Sequence, residues 1–151
     1  RFERMRGKKT LWYPGADHAG FELKEIIKSY LQEKGLEVLD HGTYSEDSVD
    51  YPDFAHLVAG SVEGGETPQG VLVCGSGQGV CMAANKHAGI RAALVWNEEV
   101  ANLTRQHNDA NIICLPGRMI DPEVAKKAVD AFLETEFEGG RHQRRVGKIP
   151  C

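Results

Sequence analysis

The chain has 151 residues, the length of one ordinary domain, and folding at that size buries roughly 70% of the unfolded surface without help from disulfides or a structural metal. Hydrophobic residues at 41%, charged residues at 26%, 17 glycines and 6 prolines exclude collagen, coiled coil and wholesale disorder. The net charge of -4 argues against a general nucleic-acid binder, and no stretch reaches the ~20 apolar residues of a membrane span.

The predicted elements alternate between strand and helix. The chain reads as a single domain over 1–151 in which about residues 1–9 are expected to be flexible, and the charges near the N-terminus are not followed by the apolar segment of a secretory signal. Leu11-Trp12-Tyr13 is a short apolar strand that stops at Pro14-Gly15. Leu23, Ile26, Ile27, Tyr30 and Leu31 recur at helical spacing, with Gly35 as the stop. Leu36–Leu39 is a second strand, and a polar loop leads to Tyr51-Pro52 and a helix marked by Phe54, Leu57, Val58 and Val62. Gly70–Cys74 is apolar on both faces, as a buried parallel strand should be. A short helix over Val80–Lys86 follows the glycine-rich 75–79 segment, then a strand over Ile90–Val95.

Asn97 caps a helix with Glu98 and Glu99 in its first turn, favourable against the helix dipole. Ile112–Leu115 is the fifth strand, and Asp121-Pro122 opens a last long helix carrying Val124, Ala128, Val129, Phe132 and Leu133. Five strands alternating with helices imply a Rossmann-like three-layer α/β/α sandwich on a five-stranded parallel sheet. Ligands of such sheets bind beyond the carboxyl ends of the strands. Those ends are Asp17-His18, the loop after Cys74, Trp96-Asn97 and Gly117-Arg118.

Cys74-Gly75-Ser76-Gly77-Gln78-Gly79 is the most informative segment. Alternating glycines after a buried strand let backbone N–H groups converge on an anion, and a thiol beside them is suited to act as base or nucleophile. The plainer alternative, a small core residue before a tight turn, is outweighed by those glycines. The segment is not a dinucleotide fingerprint, because the third glycine would fall at Val80, and no Gly-Lys-Ser/Thr follows for a phosphate loop of the nucleotide-hydrolase kind.

Asp17-His18 is either a cap beside a surface histidine or a pair for a sugar hydroxyl and a phosphate. His107-Asn108-Asp109 is either a polar helix end or a general acid/base beside a substrate-orienting amide. If the segment from Gly140 is helical, Arg141 and Arg145 share a face that can clamp a phosphate, and Arg118 can join them; a solvated basic tail is the competitor. His41, His56 and His87 show no partner pattern, and Cys81 reads as a helix core residue. Cys74, Cys81, Cys114 and Cys151 form no CxxC and no zinc spacing, as expected of reduced thiols in the cytoplasm.

Seven segments occur in the order and approximate spacing of type B ribose-5-phosphate isomerase, and the chain resembles that family from about Gly15 to Val146. They are Gly15-Ala-Asp-His-Ala-Gly-Phe21, Asp50-Tyr-Pro-Asp-Phe54, Cys74-Gly-Ser-Gly-Gln-Gly79, Ala83-Ala-Asn-Lys86, Gly89-Ile-Arg-Ala92, His107-Asn-Asp-Ala-Asn111 and Gly140-Arg-His-Gln-Arg-Arg-Val146. The resemblance implies interconversion of ribose 5-phosphate and ribulose 5-phosphate through a cis-enediolate, with no metal and no other cofactor. It implies Cys74 as the base, with Gly75, Ser76, Gly77, Gln78 and Gly79 holding the enediolate charge. His107, helped by Ser76, would open the sugar ring. Asp17 and Asn108 would bind sugar hydroxyls, and His18, Arg118, Arg141 and Arg145 the phosphate.

Where some members carry a glutamate base, this chain has Val80-Cys81 and no carboxylate, which favours the cysteine. The resemblance also implies a homodimer, or a dimer of dimers, whose active sites draw on both subunits. The alternatives are an isomerase of a 6-phosphorylated hexose (allose or galactose 6-phosphate), since only pocket depth would differ, and a non-catalytic sugar-phosphate-binding module.

Overall fold

The computed structural model describes residues 9–13 and 18–151, with side chains from Gly20 onward. The expectations for Asp17 and for residues 1–8 therefore lie outside the described residues, and His18 enters only through its backbone.

Five strands form one parallel sheet: β1 (Lys9–Tyr13), β2 (Glu37–Asp40), β3 (Gly70–Cys74), β4 (Ala92–Leu94) and β5 (Ile112–Pro116), in the spatial order β2-β1-β3-β5-β4. The helices are α1 (His18–Glu33), α2 (Tyr51–Glu63), α3 (Gln78–Ala84), α4 (Glu98–Asn108), α5 (Pro122–Glu134) and α6 (Arg141–Val146). The right-handed crossover rule explains their distribution. Steps toward the β4 edge, β2 to β3 and β3 to β4, carry α2 and α3 across one face. Steps back, β1 to β2 and β4 to β5, carry α1 and α4 across the other, where α5 joins them.

Strand alternation sorts the core. Val71 and Val73 of β3, with Ile113 and Leu115 of β5, meet Leu23, Ile27 and Leu31 of α1 and Ala128, Val129 and Phe132 of α5. Leu72 and Cys74, with Ile112 and Cys114, face Val58 and Val62 of α2 and Val80 and Ala84 of α3. Every residue of β3 and β5 is buried, which is why both read as continuous apolar runs rather than alternating ones. Asn97 caps α4 by accepting from the Val100 N–H at 2.8 Å, and Asp121 caps α5 by accepting from Glu123 at 2.8 Å.

The predicted boundaries shift in small ways. β1 begins at Lys9, two residues before the apolar run, and β2 begins at Glu37 and ends at Asp40. β4 keeps only three of the six expected residues. It is an edge strand whose entrance is set by side chains: Asn85 Oδ1 accepts from the Ala92 N–H, and Asn111 Oδ1 from the Arg91 N–H, both at 2.8 Å. α3 starts at Gln78 rather than Val80, directly after the turn made by Gly77.

One buried charge was invisible in the sequence pattern. Lys24 on α1 has no exposed surface. Its ammonium meets Asp40 Oδ2 at 2.9 Å and Glu25 Oε1 at 2.6 Å, and donates to the Thr43 carbonyl at 3.2 Å. Lys28 reaches the same Asp40 oxygen at 2.7 Å. Burial pushes the Asp40 carboxyl up, but Lys28, Lys24 and the Gly42 N–H outweigh it and hold the group below its ordinary value. This network fastens α1 to the end of β2 and the loop beyond it.

Candidate active site

Sheet order reverses between β1 and β3, so the crevice at their carboxyl ends is the switch point at which such folds bind ligands. Cys74 ends β3 there, and α1 begins there at His18. Cys74 retains 7% of its surface where Val71, Leu72 and Val73 retain none. Its sulfur accepts the Gly77 N–H at 3.1 Å. That approach requires Gly77 to take the left-handed conformation, φ +73°. Its α-carbon is packed so tightly that an added Cβ would lie 2.5 Å from Leu94 Cδ1 and 3.2 Å from the β5 backbone at Leu115 and Pro116.

Ser76 and Gln78 project outward, and the Gln78 N–H reaches Ser76 Oγ at 3.4 Å. The loop after β5 is tied to this one by Gly117 N–H to the Cys74 carbonyl at 2.8 Å and Arg118 N–H to the Gly75 carbonyl at 3.0 Å, which places the exposed Arg118 beside the glycine loop. Gly79 lies against the ring of Tyr51, where a Cβ would come within 2.5 Å of Cζ. Cys114, on the same sheet face but fully buried, has its thiol pushed well above the ordinary value by that burial. Cys74 is thus the sulfur at the mouth of the loop.

A second group of candidates assembles elsewhere. α4 runs antiparallel to the strands and delivers His107 and Asn108 to the entrance of β5, which starts at Ile112. The turn is gripped through Asp109. Arg91 reaches its carbonyl at 2.9 Å and its carboxylate at 3.2 Å, and Arg105 reaches the other carboxylate oxygen at 3.1 Å. Asp109 has φ +48°, a strained conformation for a non-glycine residue that these two guanidinium groups hold in place. The segment after α5 hydrogen-bonds to the end of α4, Glu138 N–H to the Gln106 carbonyl at 3.1 Å, and α6 then lays His142 against His107 with ring centroids 4.3 Å apart and planes tilted by 12°. Arg141 and Arg145 are exposed on α6, which is helical as their spacing suggested.

The two groups do not meet within one chain. Cys74 lies level with Pro116 at the exit of β5, whereas His107 and α6 sit by its entrance at Ile112, a strand length of about 13 Å away. A single subunit places Ser76 and His107 at opposite ends of the sheet, and likewise Arg118 and the pair Arg141 and Arg145.

Against this geometry, the family described as Ribose/Galactose Isomerase matches residues 13–149. The chain belongs to the ribose/galactose isomerase family. It is 50% identical over 135 residues to ribose-5-phosphate isomerase B of Escherichia coli, covering 89% of this chain and 91% of that one. The solved ribose 5-phosphate isomerase of Thermotoga maritima superposes with a TM-score of 0.91 at 53% identity, over 95% of this chain and 98% of the other. The ribose-5-phosphate isomerase B of Mycoplasma genitalium, solved with bound ribulose-5-phosphate, gives 0.86 at 48% identity and 93% coverage of each. At these identities the α/β sandwich on a parallel sheet is the family's fold.

Within this family member, several residues near the candidates had been given no role of their own from sequence, although Asp109, Arg91 and Tyr51 lie in the seven family segments. Arg91, Arg105 and Asp109 build the His107 turn, and Tyr51 walls the glycine loop. Arginines are ordinary on surfaces, and only the left-handed Asp109 distinguishes these two. The three histidines read as partnerless also have partners. His41 Nε2 lies 3.3 Å from Ser61 Oγ, and His56 Nδ1 lies 2.9 Å from His87 Nε2. His87 Nδ1 is in turn 3.1 Å from Glu63, which also accepts the Gly89 N–H at 2.8 Å. The first contact ties the loop after β2 to α2 and the others tie α2 to the segment after α3, through pairings 20 or more residues apart that no local pattern displays. Cys81 is half-buried, with its thiol donating to the Ala92 carbonyl at 3.3 Å. No helix among the described residues is long and apolar enough to cross a membrane.

Proposed function

We propose that this chain is a ribose-5-phosphate isomerase of the cysteine type, acting in the cytoplasm as a homodimer or dimer of dimers whose active sites are shared between subunits. The observation that carries the reading is the Cys74 sulfur, set beside the Gly77 N–H at the carboxyl end of β3 in a chain half identical to an isomerase of that name.

The chemistry follows from the residues. His107 protonates the ring oxygen of furanose ribose 5-phosphate as the C1 hydroxyl loses its proton, the C1–O bond to the ring opens, and the aldehyde forms. Cys74 removes the C2 proton, and the electron pair moves through C1 to its oxygen, giving the cis-enediolate. Backbone N–H groups of 75–79 hold that charge where it develops. The C2 hydroxyl proton passes to the C1 oxygen, and Cys74 returns its proton to C1 as the C2 oxygen becomes the ketone. The phosphate does not react, so its binding by His18, Arg118, Arg141 and Arg145 is available to hold C1 and C2 against the sulfur. Asp17 and Asn108 orient the hydroxyls, and no step calls for a metal or other cofactor.

A partner copy supplies the missing half. With a two-fold axis, the His107 end of one subunit meets the Cys74 end of the other, and the same contact is made twice. Exposed Trp96 and Met119, both just beyond the carboxyl ends of strands, and exposed Met82 on α3 give that end an apolar rim suited to such a contact.

Co-expression tests the arrangement. Cys74→Ser and His107→Gln homodimers should each be nearly inactive, while the mixed population should recover about a quarter of wild-type turnover, because half the dimers then hold one intact site of two. No recovery on mixing would refute shared sites. Steady-state assays with ribose 5-phosphate and allose 6-phosphate decide the substrate, and preference for the hexose would replace the pentose reading.

A further inference from the structure

The proposed ring-opening histidine has a neighbour that none of the catalytic roles above uses. His142 is 6% exposed, although it sits between exposed Arg141 and Arg144 on α6. Its ring lies nearly parallel to that of His107, centroids 4.3 Å apart, and its Nε2 is 3.6 Å from Glu138 Oε2. Burial, then the charges of His107, Arg141 and Arg145, hold its imidazole below the usual value, with Glu138 opposing. His142 is a flat plate against one face of His107. The two imidazoles and Glu138 have ligand atoms within 4.8 Å of one another. Rings tilted by only 12° aim their in-plane lone pairs side by side, however, rather than at one tetrahedral point, so the arrangement is a stack and not a cation cage.

We infer that His142 is a positioning residue for ring opening: its flat face fixes the plane of His107, so that the acid proton points at the furanose oxygen. The inference rests on the isomerase reading above. A proton donor must be aligned with the atom it protonates, and a ring free to rotate about its side-chain bonds loses that alignment. Packing against a second ring removes the freedom without a hydrogen bond to either nitrogen of His107. α6 is placed to supply the plate because the Glu138 N–H docks its leading segment on the end of α4.

The two substrates separate positioning from general structure. Ribose 5-phosphate enters as a closed ring and needs His107. Ribulose 5-phosphate has its C5 oxygen blocked by phosphate, so it is open-chain and reaches the enediolate by loss of a C1 proton to Cys74 alone. In deuterium oxide, exchange at C1 of ribulose 5-phosphate thus reads the base, and turnover of ribose 5-phosphate reads the acid as well.

His142→Ala should lower kcat for ribose 5-phosphate by about 10- to 100-fold while C1 exchange stays within about twofold of wild type. His142→Phe, which restores a flat ring, should recover most of the lost kcat. Equal loss of both reactions, a rise in KM without a fall in kcat, or failure of phenylalanine to rescue would overturn the positioning role. If the alanine chain does not fold, His142→Asn against His142→Phe makes the same comparison. Absence of C1 exchange by the wild-type enzyme would instead remove the isomerase reading, and the role of His142 with it.

Discussion

Gly77→Ala isolates what the loop after β3 demands of the backbone. Two costs act on the fold. The left-handed conformation at φ +73° disfavours any Cβ by roughly 1–2 kcal/mol. The new methyl must also displace Leu94 Cδ1, 2.5 Å away, and press on the β5 backbone at 3.2 Å, an overpacking cost of about 1–3 kcal/mol. The sum, about 2–5 kcal/mol, corresponds to a fall in Tm of roughly 4–20 °C at this chain length. Gly65→Ala is the control, because Gly65 has φ +78° with nothing within 4 Å of its Cβ position. It should cost only the conformational share and leave turnover unchanged.

A third cost falls on catalysis. The displaced loop would carry the Gly77 N–H away from the Cys74 sulfur, 3.1 Å distant, and loss of one aligned donor lowers kcat by about 100- to 1,000-fold. Thermal melts and ribose 5-phosphate turnover of the two variants, both measured well below their Tm, test the argument. A Gly77→Ala enzyme with wild-type kcat would refute the claim that this N–H serves the sulfur. Equal destabilisation of the two variants would refute the packing share.

Other perturbations have defined outcomes. Cys74→Ser should reduce turnover by about 100- to 10,000-fold, the range for losing a general base, while calorimetric binding of ribulose 5-phosphate persists; retained turnover would end the cysteine-base mechanism. Asp40→Asn should destabilise the fold by up to about 3–5 kcal/mol at neutral pH, because it removes the buried carboxylate beside the Lys24 ammonium and leaves only the exposed Glu25 as counter-charge. Asp40 is held below its ordinary value when folded, so its contribution is complete above the unfolded carboxyl value near ~3.9 and fades as pH falls through the folded one. Denaturant melts should accordingly show the gap between Asp40→Asn and wild type closing below about pH 4, and a constant gap would contradict the assignment. Asp109→Ala should lower stability by about 2 kcal/mol, since it strips Arg91 and Arg105 of a charged acceptor. Melting unchanged from wild type would show that the clamp is not holding the turn.

Much of this molecule was legible from pattern because the deciding interactions are local. β3 and β5 declare themselves as apolar runs, since a central parallel strand is covered on both faces. The caps at Asn97 and Asp121 are written within three residues of the atoms they serve. The loop from Cys74 to Gly79 can be read because its glycines meet a requirement of the backbone itself. β4 was overestimated for the converse reason: its apolar residues report burial near an edge, not ladder pairing, and Asn85 and Asn111 supply partners where the ladder stops. Lys24 could not be recognised as buried, because the Asp40 that permits it comes from another element.

The division of the candidate site has the same origin. Motifs are ordered along a line, and a line carries no record of which end of a sheet each segment reaches. A parallel sheet supplies that record mechanically. A residue at the close of a strand lies at one end, and a residue at the close of the following antiparallel helix lies at the other. Cys74 closes β3 and His107 lies in the last turn of α4, so the direction of the chain alone keeps the proposed base and the proposed acid of one subunit a strand length apart. A mutation that weakens assembly should therefore abolish turnover of ribose 5-phosphate, which needs both groups, without touching a residue that contacts the sugar. Dilution of such a variant, followed by sedimentation and turnover in parallel, should show activity disappearing with the dimer; a monomer that keeps full activity would mean that the two ends are not partners at all.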